Sequence, residues 1–579
     1  MSDSEEGMDE AASDIEVEMN EAASDSEVEM DEAASHAAAL KRLKSKDPDF
    51  YKFLNENEKS LLNFEESVCE KSEDDESDEE DVDEFEVDEE ESEAIDPEKI
   101  LSLKEQIRDT PTAKLCKDLI LSFKAVVCQS VGLSNKVDMS KSEFFNDIIK
   151  LCLIDLVPAL YKVLNLSASD KKSVDPTKSK AWKKVQTHVK KYLIDMLKVI
   201  SIMKESSVIV PILKHVVHLI PFYSVSKLLI KNLLKRVISL WSGEEETVRV
   251  LALIIIIRAT KKLPKEHHGQ VLKEMYFAYI KNTKFTSPST WPMINFMKRS
   301  LTEIYSLNLE IAYEHAFIYI RQMSIHLRNA ITIKQKEAFQ TVYNWQYTHC
   351  ILLWSHLLCR FVEHEPLKSL IYPLVQTTIG VINLIPTDKY IPLRFHLARA
   401  LMHISESTGI FIPVLPLILD VLKIVDFNKN SRFSIRPVDL SCALKVTKAQ
   451  QQEAGFKDSC IFDLCSLVVD YLKCYSNSIG FPELALPVVM QFKSFMKQCK
   501  VSKYKQQLKT VLLKIEENSL FISEKRKLVS FSITDNGQVK KWEEDVHTEG
   551  TPLMQFKKEA RKVVEVVMDM PLKKKRKHS

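Results

Sequence analysis

Glycine is scarce in this chain: 10 residues of 579, where average usage would supply roughly 40. Few positions can take positive φ without strain, so tight hairpin turns are rare and a β-rich fold is disfavoured. The shortage also removes the phosphate-cradling loops, dinucleotide fingerprints and nucleophile elbows that need clustered glycines. None of the eleven cysteines forms a C-x-x-C pair. The acidic start Met1-Ser2-Asp3-Ser4-Glu5-Glu6 is unlike a signal or transit peptide, so the cysteines read as reduced thiols of a nuclear or cytosolic protein. The most apolar run, Leu251 to Ile257, is bounded by Arg249 and Arg258. It falls far short of the ~20 residues of a membrane helix, so no membrane is expected.

What is abundant is charge, and it is segregated. The formal net charge is −2, yet residues 1–98 hold 39 acidic against 7 basic residues, a balance of −32. The other 481 residues carry 43 against 73, or +30. A basic body behind an acidic arm points to an anionic partner for the body, and to an arm that competes for that surface or holds a basic partner such as histones.

The arm has three parts. Residues 1–35 contain the near copies DEAASDIEVEM (Asp9 to Met19) and NEAASDSEVEM (Asn20 to Met30), then a third copy that fades after Ser35. Such low-complexity acidic sequence buries too little apolar surface to offset chain entropy, so disorder is expected there and in the acidic run 65–98. Ser13, Ser24, Ser26, Ser72 and Ser77 each have an acidic residue three places downstream, the context of acid-directed kinases. Between the acidic runs, residues 36–64 regain apolar groups. Asp47 can cap a helix with Pro48 at its first position, placing Phe50, Phe53 and Leu54 on one face. With Leu61, Leu62 and Phe64 they form a candidate docking segment for a groove on the body or on a partner.

From residue 99 to about 530, apolar residues recur with helical period in blocks of 15 to 20 residues. In Val225 to Trp241, Leu229, Leu233, Val237 and Leu240 fall within about 120° of arc, while Lys227, Lys231 and Lys235 lie opposite. Similar blocks at Trp345–Val362, Leu367–Ile385, Pro413–Val425 and Leu484–Gln498, with little sign of strands, predict an all-α fold. The expected architecture is a HEAT/armadillo-like α-solenoid of stacked helix pairs over 99–530, followed by a C-terminal extension 531–579.

Candidate chemistry is sparse. His349, Cys350, His356, Cys359 and His364 cluster without a clean four-ligand pattern, and buried cysteine with edge histidine on an amphipathic helix accounts for them without metal. The pairs His215/His218 and His267/His268 lack a nucleophile or carboxylate spaced for a relay. No cofactor and no enzymatic activity are expected. Basic residues interleave with aromatics at Lys493, Phe495, Lys497, Lys500, Lys503, Tyr504, Lys505 and Lys509. Together with Lys227, Lys231 and Lys235, the cations Lys497, Lys500, Lys503, Lys505 and Lys509 are candidate RNA contacts, driven by shape and backbone because no base-reading module is present. Lys573, Lys574, Lys575, Arg576 and Lys577 follow Pro571 and Leu572 near the terminus and read as a nuclear-import tract for an import receptor.

Several ordered elements resemble the nucleolar complex protein 2 family. Leu370 to Leu422 carries YPLVQ, LIP, PLRFH and TG-FIP-LP, with Tyr372, Pro373, Pro392, Arg394, Phe395, His396, Gly409 and Pro413 as motif residues. Ser478 to Tyr504 follows with Pro482, Glu483 and Pro487, then Glu517 to Phe531 and EGTPL at Glu549 to Leu553. KDPDFYKFL in the arm also matches, and residues 100–340 match only loosely. The sequence departs from the family in ending soon after EGTPL, where a longer charged extension is expected of some relatives. The resemblance implies a helical scaffold of nucleolus and nucleoplasm. Such a scaffold pairs with sister nucleolar complex proteins and accompanies pre-60S particles, with their pre-rRNA and ribosomal proteins, during rRNA maturation. A chromatin-linked regulator or histone chaperone acting through the arm is the alternative. If the acidic runs compete with RNA for the basic body, their deletion raises affinity for RNA and steepens its salt dependence; unchanged binding in a salt titration removes the competition.

Overall fold

The computed structural model describes residues 104–130, 147–165, 175–203, 205–429, 431, 438–532 and 534–556, all within one compact unit, Ile95–Ser579. The arm, with Ser13, Ser24, Ser26, Ser72, Ser77 and the docking segment Phe50 to Phe64, lies outside them, as does the tract Lys573 to Lys577. The described residues are all-α, with no strand among them.

The helices run in chain order as α1 (Ala113–Ser130), α2 (Val157–Val163, after a π-helical turn Cys152–Leu156), α3 (Trp182–Ile202), α4 (Ser206–Tyr223), α5 (Lys227–Gly243), α6 (Glu246–Lys262) and α7 (His268–Asn282). Next come α8 (Trp291–Tyr305), α9 (Leu309–Ile333), α10 (Lys336–Val342), α11 (Trp345–Arg360), α12 (Glu365–Ser369), α13 (Ile371–Leu384) and α14 (Ile391–Thr408). The last are α15 (Leu415–Leu419), α16 (Val421–Ile424), α17 (Lys448–Gln451), α18 (Ala454–Cys474), α19 (Phe481–Gln498), α20 (Ser502–Arg526) and α21 (Asn536–Glu549). Two expected blocks are each divided: Leu367–Ile385 into α12 and α13, and Pro413–Val425 into α15 and α16.

Polar side chains and glycine set several ends. Asn308 accepts from the amides of Glu310 and Ile311 to start α9, and Asn344 accepts from Tyr347 to start α11. Pro392 occupies the first turn of α14, where its missing N–H is harmless. Gly409 ends that helix at φ +69°, a conformation that favours glycine. Helix α4 is long and apolar enough to cross a membrane by length and composition. It packs instead against α3, α5 and α6, burying Ile209, Ile212, Leu213, Val216, Leu219 and Phe222.

The principal packing partners of each helix lie within four places along the chain. Large aromatics join the layers. The fully buried Trp354 of α11 has its ring centroid 5.4 Å from Tyr276, 5.7 Å from Tyr305 and 5.9 Å from Tyr319, which ties α7, α8 and α9 together. Trp241 of α5 is equally buried, and its Nε1 donates to Ser300 Oγ of α8 at 3.0 Å. The Trp354 Nε1 has no hydrogen-bond partner among the described residues. Trp354→Ala is therefore expected to cost about 3–5 kcal/mol through lost burial and a cavity. Trp241→Phe should cost about 1 kcal/mol more than Trp354→Phe, because it alone breaks a buried hydrogen bond. Denaturant midpoints of the variants measure both differences.

Candidate partner and nucleic-acid surfaces

The motif PLRFH is mostly interior. Arg394 is buried and donates to the Leu417 carbonyl at 3.0 Å and the Ile382 carbonyl at 3.4 Å, with Asp420 at 3.8 Å. One guanidinium thus joins the last turn of α13 to α15, a fixed fork that lysine cannot reproduce. Burial pulls the Arg394 pKa down, and Asp420 opposes that shift. Phe395 is fully buried, and His396 Nε2 donates to the Ala443 carbonyl at 3.1 Å, holding the loop before α17. Of the other motif residues, Pro392 is buried, Gly409 is a helix stop, Pro373 is half-buried, and Tyr372 and Pro413 are exposed. These positions mainly build the fold; Tyr372 is the aromatic one that reaches solvent.

The second motif stretch makes a surface. Helices α19 and α20 pack side by side. Glu483 pairs with Arg526 at 2.8 Å and Lys493 with Glu516 at 2.8 Å, so residue numbers rise along one helix as they fall along the other. The helices are antiparallel, and the two ion pairs mark the ends of one seam. Between them Leu486, Met490 and Leu520 stand 55%, 63% and 64% exposed. Pro482 is half-buried and Pro487 exposed on the same helix. An apolar strip between ion pairs suits protein contact, since large exposed aliphatics gain from desolvation.

Beyond the seam, the EGTPL run is anchored. Leu553 is fully buried, its amide donates to Asn518 Oδ1 at 3.2 Å, and Asn518 Nδ2 donates to the Ser476 carbonyl at 2.9 Å. Glu543 of α21 accepts from the Ser478 hydroxyl and the Ile479 amide.

The basic faces occur where the lysine pattern places them. Lys227 and Lys235 are exposed and Lys231 half-buried on α5, opposite buried Leu229, Leu233, Val237 and Leu240. Lys497, Lys500 and Lys509 are exposed and Lys505 is half-buried, while Lys503 is partly neutralised by Asp458 at 2.6 Å. The aromatics among them are structural: Phe495 and Tyr504 pack edge-on against Phe427 at 5.5 and 5.7 Å. They are therefore unavailable as base-stacking platforms, and phosphate contact is the remaining chemistry.

The histidine and cysteine side chains around α11 engage separate partners. His349 Nε2 meets Thr286 Oγ1 at 2.9 Å, Cys350 Sγ meets the Tyr276 hydroxyl at 3.4 Å, and Cys359 Sγ donates to the His403 carbonyl at 3.7 Å. His356 stacks against His403 at 6.2 Å, and His364 precedes α12. No group of three possible metal ligands occurs among the described residues.

Burial lowers four imidazoles far below their ordinary 6.5, among them His356, which falls to about 4. His215, which accepts from the Tyr192 hydroxyl and donates to the Leu153 carbonyl in the π turn, falls to about 4. His349 falls to about 3, with Lys298 adding to the effect, and His396 to about 4, with Arg399 adding. Below pH 6.5 the unfolded chain binds these protons while the folded chain does not, so stability falls as pH drops toward 4. Each imidazole contributes about 1.4 kcal/mol per pH unit within that window. The thermal midpoint should hold above pH 6.5 and decline steadily to pH 4.5, with a shallower decline in His349→Gln; a flat profile contradicts the assignment.

Comparison with known proteins agrees with the motif geometry. The Noc2p family model matches residues 266–560, from the 3₁₀ turn before α7 to just beyond the anchored EGTPL run. The chain is similar to Nucleolar complex protein 2 of Drosophila melanogaster, at 41% identity over 71% of this chain and 54% of that protein. It is also similar to Nucleolar complex-associated protein 2 of Arabidopsis thaliana, at 30% identity over 89% of this chain and 70% of that protein. A third similarity, 25% over 91% of this chain and 79% of the relative, is to Nucleolar complex protein 2 homolog of Caenorhabditis elegans. The chain thus spans about half the length of the fly relative. With the model covering half of its residues and these relatives aligned along most of its length, the chain belongs to the Noc2p family.

Proposed function

We propose that the chain is a nonenzymatic scaffold of large (60S) ribosomal subunit assembly, working in nucleolus and nucleoplasm. In this reading the helices form a HEAT-like solenoid, since short-range packing between neighbours in the chain is the pattern such stacks require. The apolar strip of α19 and α20 docks a sister nucleolar complex protein. The lysine faces of α5 and of residues 497–509 touch pre-rRNA or ribosomal proteins on pre-60S particles. An import receptor takes the tract Lys573 to Lys577, and the scaffold accompanies particles through rRNA maturation and movement within the nucleus.

The observation that carries the reading is the coincidence of family motif and exposed surface. Glu483 is a motif residue, and its ion pair with Arg526 frames the exposed Leu486, Met490 and Leu520. Relatives named for a nucleolar complex supply the setting. The histone-chaperone alternative draws on the acidic arm alone. Depletion of the chain should reduce large-subunit precursors on sucrose gradients and stall their rRNA processing while sparing small-subunit precursors. Rescue should succeed with the wild-type chain and fail with Leu486→Asp/Met490→Asp/Leu520→Asp, provided that variant accumulates normally. Unchanged precursors after depletion would rule out the scaffold.

A further inference from the structure

Helices α8, α11 and α14 run parallel and meet in two layers. In the first, the Trp291 ring centroid lies 5.7 Å from His349 and 6.3 Å from His396. A seven-residue step returns each helix to nearly the same face about 10 Å farther along, at Lys298, His356 and His403. His356 and His403 do stack there, with ring centroids 6.2 Å apart, and beyond them Arg360 of α11 meets Glu303 of α8 at 3.4 Å.

The layers differ in chemistry. The first is closed, since His349 and His396 are buried and bonded to Thr286 and the Ala443 carbonyl. The second is a set of donors short of acceptors. Lys298 is half-buried; its Nζ donates to the neutral Asn295 Oδ1 at 3.0 Å and forms no ion pair among the described residues. Arg299 is exposed and also without an ion pair among them. His356, half-buried, makes no hydrogen bond among the described residues, and His403 meets Ser407 Oγ at 3.3 Å through Nδ1, which leaves Nε2 open. Burial lowers the Lys298 pKa to about 8, with Arg299 adding to the effect. Burial also lowers His356, and Lys298, His403, Arg299 and Arg360 all push it the same way. Across the three helices, three cations, Lys298, Arg299 and Arg360, stand against two carboxylates, Glu303 on Arg360 and the exposed Glu406 near His403, which leaves one positive charge. The flanks cancel. Arg399 pairs with Asp463 at 3.3 Å, Lys473 and Asp470 of α18 carry opposite charges, and Arg249 of α6, 5.1 Å above the Phe296 ring, has Glu246 acting on it.

We infer that Lys298, His356 and His403, with Arg299 at the rim, form a seat for one phosphodiester of an RNA backbone. Donors from three helices stand together with a single neutral amide as protein acceptor, and phosphate oxygens accept from ammonium and imidazole alike. One net positive charge matches the single negative charge of a phosphodiester. A phosphoserine carries nearly two and is typically held by arginine forks; here the central donors are an ammonium and two imidazoles, and Arg360 is already engaged by Glu303. The seat differs from the lysine faces of α5 and residues 497–509 in being half-buried, so its cations repel one another when no anion is bound, at a cost in stability. The inference deepens the scaffold reading by adding a built phosphate contact, and it rests on that reading for pre-rRNA as the source of the phosphate.

The test uses the full chain and a fluorescent 20-nucleotide oligouridylate. Lys298→Met and His356→Gln/His403→Gln should each weaken binding at least threefold, and Lys298→Met should make the slope of log affinity against log salt shallower by about 0.7, the share of one phosphate of a single strand. A lysine with a merely structural role would lower the denaturant midpoint when replaced; Lys298→Met should instead hold or raise it, because an uncompensated cation is removed. Location is read in the wild-type chain: acylation of the Lys298 amine, followed by mass spectrometry, should slow at least threefold with oligouridylate bound, and less than twofold with an equimolar phosphoserine peptide or inorganic phosphate. Circular dichroism checks folding; should a variant unfold, the protection measurement decides. Absence of oligouridylate binding, folded variants with wild-type affinity and slope, a lower midpoint for folded Lys298→Met, an unprotected Lys298, or equal protection by the phosphoserine peptide overturns the seat. Association with large-subunit precursors is measured separately, so failure here is distinguishable from failure of the scaffold itself.

Discussion

Each long helix among the described residues buries an apolar face, and it does so against helices close to it in sequence. That constraint shapes the rest. Short connections and few glycines leave no room for distant strands to pair, so the fold grows by adding neighbours rather than by closing a sheet. Aromatic clusters are the joints: Trp354 with three tyrosines, and Trp241 with Ser300, each span helices that the chain presents in succession. Because each helix spends one face on its neighbours, the opposite faces are left as long surfaces, lysine-rich on α5 and apolar on α9 and α19.

Polar interior contacts then fix the connections. Arg394 anchors the end of α13 to α15, His396 fixes the loop before α17, and Asn518 holds both the Ser476 carbonyl and the Leu553 amide. In each case a side chain on a long helix satisfies backbone groups where chain direction changes, which regular helical bonding leaves unpaired. The most recognisable motif is therefore largely architectural. The surfaces that could meet partners lie beside it, on exposed positions whose identity the fold does not require.

How much of this could be read from sequence depended on whether a pattern was local. The α5 face was legible because its leucines and lysines alternate with helical period and the structure keeps them apart. Helix α9 was not: with Ile320, Met323, Leu327 and alanines inside and Phe317, Ile318 and Ile325 outside, its apolar residues run nearly all round and blur the period. The PLRFH residues were visible, but the task of Arg394 was hidden because its acceptors, Ile382 and Leu417, are set by tertiary packing. Likewise, spacing alone could not separate Phe495 and Tyr504, which pack on Phe427, from lysines nearby that face solvent. The Glu483–Arg526 and Lys493–Glu516 pairs join residues far apart in sequence and became visible only when α19 lay beside α20.

The central claim is that this stack serves as a scaffold inside large-subunit precursors, meeting protein and RNA through different faces. Residue-level crosslinking of the native chain, purified with its bound partners from nuclei, addresses it most directly. The account predicts protein crosslinks to a sister nucleolar complex protein from the α19 and α20 seam, notably at Lys493, and ultraviolet RNA crosslinks concentrated on α5 and residues 497–509. Recovery of the chain with chromatin proteins and without large-subunit rRNA or its assembly factors would contradict it.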